Sequence, residues 1–288
     1  MNKTKQLKVV LFALTGFGNP VLKALLKDER VDLKAVFTTK YEQPFPYYPE
    51  EHLLDLCNQL GVTCHYGVKV SSEEGVAMVH QYAPDLIIMS TFKQILRSNV
   101  LGIPAFGVVN IHPSLLPSYR GPCPTNNVLL NGEKATGLTV HYVTEEIDEG
   151  NILLQKSISI EEIENDGQLR QTLANLAGTL IPEIINLFAD FSKPAGISQN
   201  HDQASLAPKP TPDIGFLELS PEINTIKNKI RALNPLPGTS VLLEGQRIPV
   251  NGVELFEDHR ADGLYETPEA VEWVINRQGI RLFKKVQH

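Results

Sequence analysis

Short apolar runs alternate with amphipathic stretches along most of the chain. Residues 7–14 are apolar apart from Lys8, a pattern typical of a parallel strand that is buried on both faces. Residues 21–27 instead repeat apolar side chains at helical spacing. Further strands are predicted at residues 33–38, 62–66, 85–90, 106–111, 138–143 and 152–158, and further helices at residues 52–60 and 73–82. This alternation predicts an α/β fold with a doubly wound, Rossmann-like and mostly parallel sheet.

The pattern changes after residue 191. Just before it, leucine and isoleucine recur every three or four residues from 169 to 187, which predicts a long helix with Asn165 or Asp166 as its N-cap. Residues 192–213 then hold several prolines and many polar side chains, as linkers do. Beyond them the sequence predicts a helix at 221–233 and strands at 239–244, 246–253, 271–276 and 279–283. We therefore predict a first domain of residues 1–191, a linker of residues 192–213, and a small β-rich domain of residues 214–288.

The composition narrows the range of partners. The 288 residues carry a formal net charge of -7, and such a chain repels polyanions on average, so nucleic acid is not a favoured partner. No apolar run of about 18 residues is present, and the polar residues 1–8 do not resemble a signal peptide, so no membrane span is expected. The three cysteines form no CxxC pair and join no metal-binding motif. These features predict a cytoplasmic protein with reduced thiols and without a metal.

Polar side chains suited to proton transfer lie at the end of the predicted strand at residues 106–111. Asn110 and His112 are two residues apart, so on an extended segment their side chains lie on the same side. Asp148 lies on the loop that leaves the predicted strand at residues 138–143, and we expect this loop to return to the same edge of the sheet. Ligands of open α/β sheets bind beyond the carboxyl ends of strands. These three residues are therefore the candidate catalytic group.

The three side chains supply what acyl transfer to an amine requires. The imidazole of His112 can accept the proton of the attacking amine, because the ordinary pKa of histidine lies near neutral pH. The amide of Asn110 can donate a hydrogen bond to the oxygen that becomes anionic in the tetrahedral intermediate. Asp148 can orient His112, stabilise its charged form and order a water for proton relay.

A longer signature surrounds these residues. Asn110 and His112 are followed by the sequence Ser-Leu-Leu-Pro at residues 114–117, and then by Asp148. This signature resembles that of the folate-dependent formyltransferases, which include glycinamide ribonucleotide, methionyl-tRNA and sugar-nucleotide formyltransferases. The resemblance covers the whole first domain and implies an N-formyltransferase with Asn110, His112 and Asp148 as catalytic residues. At residues 231–237 it continues more weakly and implies an open-barrel-like C-terminal domain.

The resemblance also implies a co-substrate, 10-formyltetrahydrofolate, and no metal. In the family, the pteridine of this one-carbon carrier lies against the segment after the fourth strand and against the loop of the aspartate. The matching residues here are Phe92, Lys93, Ile95, Leu96, Glu146 and Ile147. An apolar slot with backbone donors suits a flat heterocycle. Ordinary core packing is the alternative for Phe92 and Ile95.

Several further residues are candidates for contact with the amine substrate, namely Gly16, Phe17, Tyr47, Tyr48, Ser114, Tyr119 and Arg120. Simpler structural roles remain open for some of them. The turn at residues 16–18 lacks the third glycine of a dinucleotide-binding fingerprint. Ser114 has no G-x-S-x-G elbow, which favours a turn or hydrogen-bonding residue over a nucleophile. Arg120 and its neighbour fit a solvated loop equally well, and we expect core or supporting packing for His141.

The acceptor is predicted from the second domain and from one loop. Glycinamide ribonucleotide enzymes usually have a single domain, which argues against that acceptor. Methionyl-tRNA enzymes of the family carry a basic loop after the second strand, whereas residues 39–51 hold one lysine, three glutamates and several aromatics, including Tyr47 and Tyr48. Aromatic rings stack on a base or a sugar. We therefore predict a nucleotide-linked amino sugar as the small-molecule partner.

Three alternative functions stay open. Methionyl-tRNA is the second acceptor to test. The same three residues could serve a hydrolase that releases formate from 10-formyltetrahydrofolate, with water in place of the amine. A non-catalytic folate or nucleotide binder would not need an intact set of Asn110, His112 and Asp148. Assembly as a homodimer is a further expectation that the sequence leaves open.

Overall fold

The first compact unit is organised around a seven-stranded sheet. The structure is a computed structural model that describes residues 5–39, 51–161, 164–218, 223–275 and 277–284. The strand order is β3-β2-β1-β4-β5-β6-β7. These strands are β1 (Leu7–Ala13), β2 (Val31–Thr38), β3 (Cys64–Tyr66), β4 (Leu86–Ser90), β5 (Val108–His112), β6 (Ala135–Tyr142) and β7 (Ile152–Ser159). Pairing from β3 to β5 is parallel and β6 runs antiparallel to β5, which confirms the predicted doubly wound, mostly parallel sheet.

The central strands of this sheet are buried on both faces. Every residue of β1 except Lys8 is buried, and so is every residue of β5. Such strands read as continuous apolar runs because both faces contact protein instead of water. The strand order reverses beside β1, whose two neighbours are β2 and β4. A crevice is expected beyond the carboxyl ends of the strands at such a point, and β5 ends on this same edge of the sheet.

Side chains cap the N-termini of two of the α-helices. The helices are α1 (Gly18–Lys27), α2 (Leu53–Gln59), α3 (Glu73–His80), α4 (Ser98–Leu101), α5 (Pro124–Leu130), α6 (Asp166–Asn186) and α7 (Ile223–Leu233). At α3, the Ser72 hydroxyl accepts a hydrogen bond from the backbone N–H of Gly75. At α6, Asn165 accepts from the N–H of Gln168, and the Gln168 side chain accepts from the N–H of Asn165. This capping box makes Asn165 the N-cap, the first of the two residues predicted for that position, and Asp166 the first helical residue.

The second compact unit contains a five-stranded antiparallel sheet. Its residues are 122–134, 159–169 and 207–288, with α5 and α7 among them. The strand order is β10-β11-β12-β9-β8, with β8 (Thr239–Leu243), β9 (Gln246–Glu257), β10 (Gly263–Glu266), β11 (Ala270–Ile275) and β12 (Gln278–Lys284). The sheet curls as a half-barrel, which confirms the predicted β-rich fold of this region. Its core includes Ile226 and Ile230 of α7 and Val241, Val250, Val271, Ile280 and Leu282 of the sheet.

The observed elements differ from the predicted ones mainly where segments are short. Strand β10 and helices α4 and α5 were not predicted, since four to seven residues carry too little periodicity to be recognised. Residues 192–206 of the predicted linker belong to the first compact unit, and residues 207–213 belong to the second. The division into domains at residues 191 and 213 stays a prediction. Among the described residues, no helix is long and apolar enough to cross a membrane.

Candidate active site

The end of β5 carries Asn110 and His112 into the interior of the first unit. β5 lies between its parallel neighbour β4 and its antiparallel neighbour β6, and their hydrogen bonds keep its backbone extended. Asn110 is 7% exposed and His112 is 3% exposed, so both polar side chains are surrounded by protein groups. Asp148 lies in the same cluster, as the sequence predicts, and the catalytic roles of the three residues stay a prediction.

Both ring nitrogens of His112 face an oxygen. Nε2 lies 3.0 Å from the carbonyl oxygen of Tyr119, which can only accept a hydrogen bond, so this nitrogen carries a proton. Nδ1 lies 3.6 Å from Oδ2 of Asp148. In the neutral ring, Nδ1 is therefore the basic nitrogen. A proton that binds there would lie against a carboxylate.

Burial and charge act in opposite directions on His112. Burial lowers the pKa of the imidazole, the carboxylate of Asp148 raises it, His141 lowers it, and the hydrogen bond to the Tyr119 carbonyl raises it. The net result is a pKa of His112 below its ordinary value. The neutral, basic form is therefore the resting form near neutral pH, which is the form that general base catalysis requires.

Asp148 provides a fixed negative charge beside this ring. Burial raises the pKa of its carboxyl, but the opposing effects of His112, His141 and the Gly121 backbone lower that pKa to about 2. The N–H of Gly121 donates to Oδ2 at 2.8 Å, the same oxygen that faces His112. A carboxylate that stays ionised can stabilise an imidazolium as it forms. The geometry therefore allows His112 to gain a proton that Asp148 stabilises.

The loop after β6 returns the chain to this position through a restricted backbone. Asp148 has a φ of 55°, in the left-handed region that non-glycine residues seldom adopt. Two residues later, a side chain at Gly150 would collide with the carbonyl of Tyr142. Glycine therefore permits the close approach of the loop to the end of β6. The backbone of this loop is constrained on both sides of the carboxylate that faces His112.

His141 is a fourth member of the cluster. It lies on β6 directly opposite Asn110 on β5. Its Nδ1 donates to the Tyr142 carbonyl at 2.8 Å, so in the neutral ring Nε2 is an acceptor, 3.3 Å from Nδ2 of Asn110. The same Nε2 lies 3.5 Å from Oδ1 of Asp148. The sequence predicted core or supporting packing here, and an assumed antiparallel register between the two strands would have found the contact.

The hydrogen bond to His141 fixes how Asn110 can act. A primary amide has two N–H hydrogens, and one of them is directed at Nε2 of His141. The second hydrogen can be donated to a ligand oxygen. Because β5 and β6 hold the two residues opposite each other, the Asn110 amide is oriented before any substrate binds.

The loop after β5 uses its polar residues for its own structure. Ser114 is fully buried, and its hydroxyl donates to the Ser118 carbonyl at 2.7 Å. Tyr119 has a φ of 64°, and its N–H donates to the Ser205 hydroxyl at 2.9 Å. Arg120 is 4% exposed, which excludes the solvated loop position. Substrate contact by Ser114, Tyr119 and Arg120 stays a prediction.

The turn between β1 and α1 holds two more of the predicted substrate contacts. Gly16 has a φ of 98°, and its N–H donates to the side chain of Asn19 at 3.1 Å. Phe17 is 1% exposed and is a core residue. The side chain of Asn19 therefore closes this turn. Contact of Gly16 and Phe17 with the substrate stays a prediction. Tyr47 and Tyr48 lie outside the described residues.

The predicted folate contacts fall into two groups. Phe92 and Leu96 belong to the core around β1, where the ring of Phe92 lies 5.1 Å from that of Phe12. The apolar side chains of Ile95 and Ile147 are instead 60% and 59% exposed. Lys93 and Glu146 are also exposed. Core packing therefore describes Phe92 but not Ile95, and folate contact stays a prediction for all six residues.

An open cavity of about 680 Å³ borders the loop of Asp148. Apolar side chains line one part of it, including those of Leu101, Val108 and Val143. Glu146 lines it as well, together with residues that follow α6, such as Lys193. Cavities of this size with an apolar lining and a few polar groups are typical sites for small molecules.

The same cluster offers a set of donors that a metal could use. One ligand atom each from His112, His141 and Asp148 lies within 4.8 Å of the other two. Two imidazoles and a carboxylate are donors that several transition metals accept. Here, however, Nε2 of His141 already faces the Asn110 amide, and Nδ1 of His112 faces the Asp148 carboxylate. The side chains can therefore support acid–base chemistry through their contacts with one another.

Comparison with known families places the chain among acyl-transfer enzymes. Residues 50–185 match the sequence model of the family described as Formyl transferase. A methionyl-tRNA formyltransferase of Syntrophus aciditrophicus is 39% identical over 173 residues, 60% of this chain and 55% of that enzyme. One from Acetivibrio thermocellus is 32% identical over 248 residues, 85% of this chain and 78% of that enzyme.

Solved structures share the whole fold. A sugar 3N-formyltransferase crystallised with dTDP and 5-N-formyl-THF superposes with a TM-score of 0.73 at 16% identity, over 98% of this chain and 99% of that one. The N-formyltransferase of Helicobacter canadensis, in complex with folinic acid and dTDP-3-aminofucose, gives a TM-score of 0.69 at 19% identity. It is matched over 97% of this chain and 100% of its own.

Proposed function

Because the chain belongs to the formyl transferase family, we propose that it transfers a formyl group from 10-formyltetrahydrofolate to the amine of a nucleotide-linked amino sugar. The observation that carries this proposal is the buried cluster of Asn110, His112 and Asp148 at the end of β5. It combines a neutral base, an ionised carboxylate and an oriented amide donor. These are the groups that acyl transfer to an amine requires.

The reaction follows from the roles of these three side chains. The neutral amine attacks the formyl carbon and forms a C–N bond, while its proton passes to Nδ1 of His112. The formyl oxygen becomes anionic and accepts a hydrogen bond from Asn110. Collapse of the intermediate breaks the bond to N10 of the folate, which takes up the proton from His112. The products are an N-formyl amide and tetrahydrofolate.

The size of each contribution follows from general experience with such groups. A positioned general base accelerates proton transfer about 10²–10⁴-fold, which is the contribution assigned to His112. One oxyanion donor contributes about 10²–10³-fold, which is assigned to Asn110. Asp148 contributes through His112, because its carboxylate raises the pKa of the imidazole that burial lowers.

The cavity beside the Asp148 loop is the proposed folate site. Its volume of about 680 Å³ lies within the range of small-molecule sites. Leu101, Val108 and Val143 provide apolar surface for the pteridine, and the exposed Ile147 on the same loop extends it. A folate ring bound there lies beside the loop that carries Asp148. Two related folds were solved with folate derivatives bound, which supports this co-substrate.

Two structural neighbours support a nucleotide-linked amino sugar as the acceptor. One is a sugar 3N-formyltransferase crystallised with dTDP, and the other was solved with dTDP-3-aminofucose bound. This chain superposes on 99% of the first and 100% of the second, with TM-scores of 0.73 and 0.69.

Charge supports the same acceptor. Residues 207–288 include eleven acidic and ten basic side chains, so this region has no positive excess. Arg260 and Arg281 pair with carboxylates, and Arg231 is buried against backbone carbonyls. A tRNA acceptor stem needs several uncommitted cations, because binding depends on the release of its counterions.

Methionyl-tRNA is the second candidate acceptor. It is favoured by sequence identity, which is 39% and 32% for the tRNA enzymes and 16% and 19% for the two sugar enzymes. The cluster at the end of β5 would perform the same chemistry on either amine. Only the acceptor would change.

One incubation tests the proposal. Purified protein and 10-formyltetrahydrofolate are mixed with a panel of nucleoside-diphosphate amino sugars, with methionyl-tRNA, or with buffer alone, and the products are identified by mass. The expected result is an amino-sugar nucleotide heavier by one formyl group. Formylated methionyl-tRNA alone would transfer the assignment to the second candidate. Formate released at the same rate in all samples would identify a hydrolase.

A cytoplasmic location is part of the same proposal. Cys57, Cys64 and Cys123 are not joined in disulfides, as is usual in a reducing compartment. Assembly as a homodimer stays a prediction.

A further inference from the structure

The segment that follows α6 returns to the Asp148 loop. We call residues 192–206 the return segment. Its Ile197 pairs with Ile152 at the start of β7 through two backbone hydrogen bonds of 2.7 and 2.8 Å. The carbonyl of Ser205 accepts a bond from the Arg120 backbone at 2.8 Å. These backbone contacts anchor the return segment before and after residue 199, and they do not depend on the side chain of residue 199.

Gln199 joins the return segment to the backbone of the Asp148 loop. It is 6% exposed. Its Nε2 donates to the carbonyl of Asp148 at 2.8 Å and to the carbonyl of Gly150 at 2.8 Å. Both amide hydrogens are therefore used on the loop that carries the carboxylate. A single side chain thus fixes two carbonyls on either side of Glu149.

Arg120 holds the other end of the same amide. Its Nη2 and Nε donate to Oε1 of Gln199 at 2.7 and 3.2 Å. Its Nη1 forms an ion pair with Glu149 at 3.0 Å. Because the guanidinium is planar, these contacts fix the orientation of the Gln199 amide and with it the direction of both N–H bonds. Gln199 and Arg120 therefore form one buried unit around the loop.

We propose that Gln199 is a positioning residue for Asp148, oriented by Arg120, and that it holds the carboxylate of Asp148 against His112 by fixing the loop backbone. The inference rests on the proposed formyl transfer, in which the charge of Asp148 acts on His112. Asp148 has a φ of 55°, in a left-handed region that aspartate adopts more readily than most residues but that still costs free energy, so contacts with the loop backbone help to hold it there. Gln199 touches neither His112 nor a reacting atom in this scheme.

The chemistry of the side chain makes the proposal specific. Glutamine is needed because its Nε2 donates to the carbonyls of Asp148 and Gly150, while its Oε1 accepts from the guanidinium of Arg120. A glutamate at this position would keep the acceptor for Arg120 but would present no donor to either carbonyl. A methionine would fill a similar volume but would offer neither the two donors for the carbonyls nor the oxygen acceptor for Arg120. The two variants therefore separate the donor function from the contact with Arg120.

The experiment compares Gln199→Glu and Gln199→Met with the control Asn200→Ala. Asn200 is the exposed neighbour of Gln199, and its side chain accepts a hydrogen bond from the backbone N–H of Asp202 within the return segment. We expect both Gln199 variants to lose about 10-fold or more in kcat with little change in the KM for the acceptor, since misplacement of a supporting group can cost about 10²-fold. The Asn200 variant should match the wild type.

A readout independent of turnover accompanies the kinetics. The pKa of His112 is measured by NMR titration of its labelled imidazole in wild type and variants. His112 is faced by Asp148 and His141, and the carboxylate raises its pKa. Displacement of Asp148 should therefore lower the pKa of His112 further in both Gln199 variants. In Asn200→Ala the titration should be unchanged.

The outcomes distinguish this inference from the proposed function. A lowered Tm with an unchanged His112 titration and an unchanged kcat would make Gln199 a structural residue and overturn the inference. A normal Gln199→Glu variant would show that contact with Arg120 suffices, which also overturns it. If the wild type transfers no formyl group but the titration shifts in the variants, the positioning role stands and the proposed function fails.

Discussion

Two clusters of polar side chains, one in each compact unit, differ in how their charges are balanced. On the sheet of the second unit, the carboxylate of Glu272 accepts from Arg260 and from Arg281, each at 2.6 Å. The hydrogen bond from Arg260, followed by that from Arg281, lowers the pKa of Glu272. At the end of β5, the carboxylate of Asp148 instead faces His112, whose own pKa is lowered.

The difference separates a stabilising cluster from a proton-transfer cluster. Glu272 is paired with permanent cations, so its charge is balanced throughout the neutral pH range. Asp148 has a pKa of about 2 and faces a neutral ring, so its charge is balanced only when His112 gains a proton. A buried base beside a fixed negative charge is the arrangement that general base catalysis uses. The predictions below test this contrast.

The largest effect is expected from the two residues of β5. His112→Ala removes the base and Asn110→Ala removes the oxyanion donor, so each should lower turnover at least about 10²-fold. Turnover is measured at saturating folate and acceptor, on variants whose circular dichroism matches that of the wild type. Near-normal turnover in either variant would remove that residue from the mechanism.

A smaller loss is expected when the carboxylate becomes an amide. Asp148→Asn preserves the size of the side chain but cannot stabilise a charged imidazole, so turnover should fall by about 10–10²-fold. Folate affinity, measured by fluorescence titration, should be retained. Weakened folate binding with an unchanged single-turnover rate would make Asp148 a binding residue.

The pH profile should report the base. Because the pKa of His112 is lowered, the neutral base persists on acidification, and kcat/KM should fall with a midpoint below the ordinary histidine value of about 6.5. Asp148, with a pKa of about 2, should stay ionised across this range. In Asp148→Asn the midpoint should move to still lower pH, because the carboxylate that raises the His112 pKa is gone. A midpoint above the ordinary histidine value would contradict the assignment of the resting form.

A substitution in the cluster of the second unit should change the stability of the protein but not its turnover. Glu272→Gln removes the charge that Arg260 and Arg281 share, and partly exposed ion pairs contribute little, so Tm should fall by roughly 2–4 °C. Turnover of the folded variant should equal that of the wild type. A loss of turnover without a change in Tm would mean that this cluster has a functional role. The distinction between it and the proton-transfer cluster of Asp148 would then be wrong.

The smallest effect is expected from a chelator. The cluster of His112, His141 and Asp148 is assigned acid–base chemistry through its own side chains. Turnover should therefore be unchanged after dialysis against EDTA. Loss of turnover that added Zn²⁺ or Fe²⁺ restores would assign the three residues to a metal instead.

The sequence predicted the sheet and the cluster because both depend on local patterns. In strand β5, buried apolar residues alternate at its end with Asn110 and His112, which are two residues apart and therefore lie on one side of the strand. Asp148 was assigned to the cluster because it lies on the loop that leaves the predicted strand at residues 138–143, and it also completes the signature. His141 was missed as a cluster member because its contact with Asn110 depends on the antiparallel register of β5 and β6, which the sequence alone did not fix.

The return segment could not be recognised from its composition. Prolines and polar residues are common both in linkers and in extended segments that pack on loops. Gln199 lies in the predicted linker, and a solvated loop was one of two roles left open for Arg120. Both side chains are buried, and they bond to each other although 79 residues separate them along the chain. Burial of such side chains depends on satisfied hydrogen bonds, which only the folded backbone supplies.

The central claim is that the cluster at the end of β5 moves a formyl group onto an amine. The most direct test follows ¹³C-labelled 10-formyltetrahydrofolate by NMR, with a nucleoside-diphosphate amino sugar as acceptor, for wild type and His112→Ala. The label should appear in an N-formyl amide with the wild type and remain on the folate with the variant. Transfer at equal rates in both proteins, or release of labelled formate whether or not the amine is present, would contradict the account.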